Sequence, residues 1–178
     1  NDASADDEVF GVNSFFHFFL EEMIECALRD PQGGEEMKVI VMGCGLVGQA
    51  IVRDLAETSD LELTVVDADG DALDVATEGL KVERVVADLR EKGKATSLVG
   101  SQDLVVGAVP GWLGLDVVRE VIEAEKPIVD ISFMPEDALQ LDDLAKQKNV
   151  AALVDFGVAP GTSNMLVGRA SASLDEIY

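Results

Sequence analysis

Three glycines at positions 43, 45 and 48, with an aspartate at 67, are the residues whose types and spacing suggest chemistry. They follow an apolar run, Met37-Lys-Val-Ile-Val-Met42, and a second run, Leu61-Glu-Leu-Thr-Val-Val66, ends directly on Asp67. Gly43 suits a tight strand-to-helix turn, because glycine enters backbone conformations closed to other residues. Gly45 lets backbone N–H groups approach a phosphate with no β-carbon between them, and Gly48 lets the following helix pack closely on the sheet. A helix starting near Leu46 and Val47 would offer unpaired N–H groups and its positive dipole end to an anion. Asp67, with Ala68 beside it, stands 19 residues beyond Gly48. That position suits hydrogen bonds from ribose hydroxyls. Strand, G-x-G-x-x-G turn, helix, strand and acid, in that order, form the signature of a dinucleotide-binding βαβ unit.

The elements that must hold these residues are legible as alternating patterns from Met37 onward. Strands are predicted over 37–42, 61–66, 82–86, 104–109, 127–131 and 150–154, and helices over 46–58, 70–78, 91–99, 112–125 and 135–147. Near-continuous apolar strands separated by helices predict a parallel sheet covered on both faces. Right-handed crossovers then predict an α/β doubly wound, mostly parallel, six-stranded Rossmann sheet of strand order 3-2-1-4-5-6. Such sheets bind ligands beyond the carboxyl ends of their strands, where the strand order reverses.

The residues ending each strand are therefore the candidates. Asp88 would face the adenine end, with capping of the next helix as its competing role. Ala108, Val109 and Pro110 would pass the nicotinamide ribose, although Pro110-Gly111 also makes an ordinary turn into a helix. Asp130 and Asp155 put carboxylates at the same edge and are the catalytic candidates, for orienting a substrate amine or moving a proton. Their competing roles are strand-end hydrogen bonding for Asp130 and turn formation for Asp155. No Lys or Arg occurs between Arg53 and Lys81, so nothing near Asp67 in sequence neutralises a 2′-phosphate. NAD is expected over NADP. The sequence holds no Ser-His-Asp or Cys-His pairing and no metal-ligand spacing, so no metal is expected.

Composition narrows the partners. The 178 residues suffice for one well-cored domain, and 48% hydrophobic content argues for a globular chain. With 35 acids against 13 bases the formal net charge is −22, which repels nucleic acid and anionic lipid; neither is an expected partner. No apolar run reaches transmembrane length and the acidic N-terminus lacks a basic signal-peptide region. Cys26 and Cys44 have neither zinc nor redox spacing, so a reducing cytoplasm is the expected location.

Residues 1–36 differ from the rest. They hold five of the seven phenylalanines. Phe16, Phe19, Leu20, Met23, Ile24, Ala27 and Leu28 fall on one face of a helix predicted over 15–28, capped by Asn13 or Ser14 and stopped by the Pro31-Gln-Gly-Gly34 segment. Met37 would make a natural start. The helix is expected to be an extension lying on the surface or foreign to the native protein, with docking or dimerisation as the alternative. His17, on this helix, is expected to face solvent or a partner.

Four segments together resemble the saccharopine dehydrogenase family and its lysine 6-dehydrogenase relatives. They are Met37 to Gly48, Gly107-Ala-Val-Pro-Gly-Trp-Leu-Gly114, Val129-Asp-Ile-Ser-Phe-Met-Pro-Glu136 and Asp155-Phe-Gly-Val-Ala-Pro-Gly-Thr-Ser-Asn-Met-Leu-Val-Gly168. The resemblance implies an NAD(P)-dependent oxidoreductase acting on the carbon–nitrogen bond of a lysine-derived amino acid, as a homodimer. It divides the chain into an extension (1–36), a cofactor-binding domain (37–161) and the start of a second, substrate domain (162–178). Cut there, the chain would bind cofactor without turning over. Phe133 and Ala159 stand where saccharopine-forming members carry Tyr and Asp, which leans toward the lysine-dehydrogenase-like branch. The rival reading is a regulatory nucleotide-binding domain of the potassium-uptake type, which shares the first βαβ unit; the segments after Val109 and Asp155 favour the dehydrogenase. A methyltransferase would need motifs that are missing.

The acid excess also suits a chain that works in concentrated salt, where self-repulsion is screened. Its unfolding temperature is expected to rise with KCl concentration; a flat profile would remove the idea.

Overall fold

The computed structural model describes residues 36–58 and 61–174. The helix expected over 15–28, with His17 and Cys26, lies outside the described residues. Six strands make one sheet: β1 (Met37–Met42), β2 (Leu61–Asp67), β3 (Glu83–Val86), β4 (Leu104–Gly107), β5 (Ile128–Asp130) and β6 (Ala152–Leu153). Their order is β3-β2-β1-β4-β5-β6 and every pairing is parallel. The order reverses between β1 and β4, where Val39 pairs with both Leu63 and Leu104. The helices are α1 (Leu46–Leu55), α2 (Gly70–Ala76), α3 (Lys94–Val99), α4 (Gly111–Glu123), α5 (Asp142–Lys148) and α6 (Thr162–Ser171).

The twofold alternation of a strand explains why β1 is apolar from Val39 to Met42. Val39 and Val41 join one buried cluster with Ile51 and Leu55 of α1, while Ile40 and Met42 join another with Val118 and Ile122 of α4. Each face of the strand meets a helix there, and the one charged residue, Lys38, stands at its partly exposed start, paired with Glu62. Every such side chain contributes about 1.5–3 kcal/mol by leaving water.

Element ends depart from the sequence pattern where backbone geometry intervenes. β4 stops at Gly107, two residues early, as the chain turns toward Pro110, which has no N–H for a ladder. α3 starts at Lys94, three residues late, after Gly93 in the left-handed region (φ +80°). The helix expected over 135–147 splits into a 3-10 turn, Ala138–Leu141, and α5, which ends on left-handed Asn149. β6 shrinks to two residues at the sheet edge. α6 buries no residue and leaves Met165, Leu166 and Val167 exposed.

The N-terminus of α3 is held from outside the helix. Glu120 of α4 accepts hydrogen bonds from the N–H groups of Gly93 (2.6 Å) and Ala95 (3.0 Å). This carboxylate satisfies orphan donors and sits at the positive end of the helix dipole. Glu120→Ala is expected to cost about 1–3 kcal/mol in urea unfolding, and Glu120→Gln, which keeps an acceptor, less.

Candidate functional site

β1 leaves the sheet at Gly43, whose φ of +106° few other residues adopt. The Gly43 N–H donates to the Val66 carbonyl at 2.8 Å. A β-carbon on Gly43 would stand 2.4 Å from the Ala108 carbonyl oxygen. One on Gly48 would stand 2.1 Å from the Gly43 carbonyl oxygen and 3.6 Å from the Ala108 β-carbon. The tight approach that Gly48 permits is thus to the turn and to the end of β4. Two of the three glycines are required by the packing of the chain's own backbone.

Gly45 is different. Its φ of −67° and ψ of −168° are open to any residue, and a β-carbon there would meet nothing within 4 Å. The open space lies at the start of α1, where no side chain caps the helix. Leu46, 92% exposed, and Val47 follow it. An uncapped helix N-terminus with room before it is a place where an anion can reach backbone N–H groups.

Asp67 ties the second strand to this turn. One carboxylate oxygen accepts from the Cys44 N–H at 2.6 Å and the other from the Asp69 N–H at 2.9 Å. Each oxygen keeps a further lone pair for a hydroxyl donor. The Cys44 thiol is buried, and burial first, then the charge of Asp67, pushes it up to about 11. It fills space and is no nucleophile. Ala68 is exposed, and Asp69 caps α2 by accepting from the N–H groups of Asp71 and Ala72.

Pairing of Asp67 with Val86 brings the β3 exit alongside, and the Ala87 N–H donates to the Asp67 carbonyl. Asp88 therefore lies at the edge expected of it. It does not cap α3, a task taken by Glu120. Both its oxygens instead grip Arg90, whose hydrogen bonds hold the Asp88 carboxyl down at about 2. Distance along the chain concealed Arg90: the sequence stretch around Asp67 has no cation, but the neighbouring strand exit supplies one.

Across the crevice, Ala108 is half-buried, Val109 is buried and exposed Pro110 opens α4 without a side-chain cap. Asp130 ends β5 with no solvent exposure. It accepts from the Ser132 N–H (2.8 Å) and lies 3.1 Å from the Ser132 hydroxyl. Burial pushes its carboxyl up to about 7, against the lowering effect of these two hydrogen bonds, and the charge of Asp155 adds to the rise. Asp130 is thus closed to solvent and engaged in hydrogen bonding at the strand end. Asp155 is exposed and adopts a left-handed turn conformation (φ +57°), while the next N–H, of Phe156, donates to the Asp130 carbonyl. Trp112, Phe133 and Val158 add exposed apolar surface along the same edge.

Sequence reasoning missed Ser132, and it missed why residues 107 and 114 are glycine. A β-carbon on Gly107 would stand 2.0 Å from an Asp130 carboxylate oxygen, and one on Gly114 would stand 2.7 Å from the Ser132 β-carbon. A glycine within an apolar strand was the available signal, since it often marks a close approach. Among the described residues no group of three or more His, Cys, Asp or Glu is placed to hold a metal, and no helix is long and apolar enough to cross a membrane.

The glycines should separate by substitution. Gly48→Ala is expected to destabilise the fold by at least about 1–3 kcal/mol in urea unfolding, as overpacking against backbone. Gly45→Ala is expected to stay within about 0.5 kcal/mol of the parent.

A family model described as the saccharopine dehydrogenase NADP binding domain matches residues 39–153. The mitochondrial alpha-aminoadipic semialdehyde synthase of Bos taurus is 23% identical over 134 residues, which cover 75% of this chain and 14% of the relative. The NADP(+), L-glutamate-forming saccharopine dehydrogenase of Pyricularia oryzae is 21% identical over 141 residues, covering 79% and 30%. The solved apo saccharopine dehydrogenase (L-Glu forming) of Saccharomyces cerevisiae superposes with a TM-score of 0.68 at 18% identity, over 75% of this chain and 30% of that one. L-tryptophan dehydrogenase of Nostoc punctiforme gives 0.59 at 21% identity, over 92% and 46%. At these identities the structural likeness is one of fold. The chain spans less than a third of the length of the curated relatives it matches. The family match runs from within β1 to the end of β6 and takes in the glycine turn, Asp67 and the β4 and β5 exits, so over these residues the chain belongs to the saccharopine dehydrogenase family.

Proposed function

We propose that residues 37–161 bind a nicotinamide dinucleotide across the carboxyl edge of the sheet, as the cofactor-binding part of an oxidoreductase acting on the carbon–nitrogen bond of a lysine-derived amino acid. The observation that carries the reading is Gly45: neither its torsion angles nor any neighbour within 4 Å requires glycine there. A pyrophosphate lying against the start of α1 would require it. In this reading the N–H groups following Gly45 hold the phosphates, Asp67 takes the adenine ribose, and Ala108 to Pro110 support the nicotinamide ribose. The cofactor would supply the hydride chemistry; this chain's residues bind and orient it. α6, with its exposed Met165, Leu166 and Val167, would open the second domain, which carries the amino-acid pocket.

NAD is the cofactor favoured by the ribose end. Asp67, Asp69 and Asp71 gather negative charge there, and Asp69 and Asp71 are exposed. A 2′-phosphate would meet that charge, whereas a 2′-hydroxyl would find an acceptor. Arg90 is the available counterweight, but its guanidinium is engaged by Asp88. The alpha-aminoadipic semialdehyde synthase and saccharopine dehydrogenase relatives support the lysine-derived substrate class.

Calorimetric titration with NAD and NADP tests both parts. The parent is expected to bind NAD at least ~10-fold more tightly than NADP, a difference of about 1.4 kcal/mol. Gly45→Val should abolish binding with the fold intact, and survival of binding would refute the glycine-turn site. Tighter binding of NADP would reverse the cofactor preference and leave the site standing. Reduction of cofactor by lysine, related diamino acids or saccharopine in the longer protein tests the substrate class. Binding without reduction by any of them would favour a regulatory role.

A further inference from the structure

The Ser132 hydroxyl oxygen lies 3.1 Å from two other oxygens, Oδ2 of Asp130 and the carbonyl of Val109. A hydroxyl carries one proton. Were the carboxyl ionised, both neighbours would be pure acceptors, and one of the two contacts would contain no proton. That would leave either the carboxylate oxygen or the Val109 carbonyl without its donor in a region closed to water, where Asp130, Ser132 and Val109 are all buried. With a proton on Oδ2, both contacts are filled. Oδ2–H donates to the hydroxyl, the hydroxyl donates to the Val109 carbonyl, and Oδ1 accepts from the Ser132 backbone N–H at 2.8 Å.

The surroundings are shaped to this chain of hydrogen bonds. Gly107 of β4 leaves room for the carboxyl and Gly114 of α4 leaves room for the serine, with clearances that would fall to 2.0 Å and 2.7 Å if either carried a β-carbon. The charged group acting on Asp130 is Asp155, in the loop after β6 whose Phe156 N–H binds the Asp130 carbonyl. Its negative charge and the burial both favour the neutral acid.

We propose that Asp130 is a positioning residue working as a neutral carboxylic acid, which fixes the Val109 carbonyl through the Ser132 hydroxyl and so sets the Ala108–Pro110 segment for the nicotinamide ribose. The last step rests on the cofactor-binding reading above; the hydrogen-bond chain itself does not.

The carboxyl titrates at about 7 in the fold, against an ordinary value of 3.8. The stability it contributes is therefore complete below about pH 4 and is lost as pH rises through about 7. Asp130→Asn mimics the neutral acid at every pH, because its amide N–H can donate to Ser132.

Thermal unfolding of the parent, Asp130→Asn and Asp130→Ala between pH 5 and pH 8 reads the chain directly. The parent's midpoint is expected to fall across this window relative to Asp130→Asn. A difference infrared spectrum between the two at pH 5 is expected to show the carbonyl stretch of a protonated carboxyl. NAD affinity of the parent should fall above pH 7 by up to about tenfold per pH unit, stay level in Asp130→Asn, and be weakened at both ends of the range by Ser132→Ala. The proposal is overturned if Asp130→Asn keeps the parent's pH dependence, fails to fold, or is as damaged as Asp130→Ala. Absence of the protonated-carboxyl band would overturn it equally. Should the parent bind neither NAD nor NADP, the cofactor reading fails, while the unfolding and infrared measurements still decide the state of Asp130.

Discussion

Backbone meets backbone where β1 leaves the sheet, and the rest of the ligand edge is arranged round that contact. The α-carbon of Gly43 rests against the Ala108 carbonyl, and the α-carbon of Gly48 against the Gly43 carbonyl. No side chain fits between them. Because β1 and β4 are the central neighbours of a sheet buried on both faces, neither can move aside to make room. The helix start, the β4 exit and the second strand are thereby held in one fixed relation, with Gly45 facing open space at their junction. A site that must orient a flexible dinucleotide benefits from such rigidity, since less ordering is left to the moment of binding.

Two aspartates at strand ends on either side of the central β1–β4 pair show how surroundings assign different work to one side chain. Asp67 remains partly exposed, accepts two backbone N–H groups and keeps acceptor capacity toward solvent. Asp130 is sealed beneath Gly107 and has for partners a serine hydroxyl, a backbone N–H and the repulsive field of Asp155. Desolvation penalises a charge on Asp130. The exposed acid can address a ligand. The buried one can only act through the loop above it.

The acid excess of the surface bears on the same edge. A dinucleotide is itself an anion, and a chain of net charge −22 repels it at long range. What can draw it in is local: N–H groups at the start of α1, without cost in side-chain ordering, and the dipole behind them. Salt that screens the long-range repulsion leaves these short contacts nearly intact.

The sheet was legible from residues 37–153 alone, strand order included. Apolar runs alternating with helical patterns admit few parallel topologies once crossovers must be right-handed. The glycine turn after β1 and the acid ending β2 were legible too, because strand, turn, helix and strand follow one another in sequence; the contact of Gly43 with Ala108 was not. Element ends were less so: β4 stops short of Pro110, and α3 waits for a carboxylate from α4 that no local window contains. What only the tertiary structure decided were relations between distant segments. The β2–β3 pairing brings the strand exit that carries Arg90 alongside Asp67, and Asp130, Ser132, Gly107 and Gly114 interlock across two strands and a helix. Sequence determines which residues can form a strand, a turn or a cap, since those follow from local torsions and polarity. Burial, and with it the charge state of Asp130, exists only after the chain has closed over it.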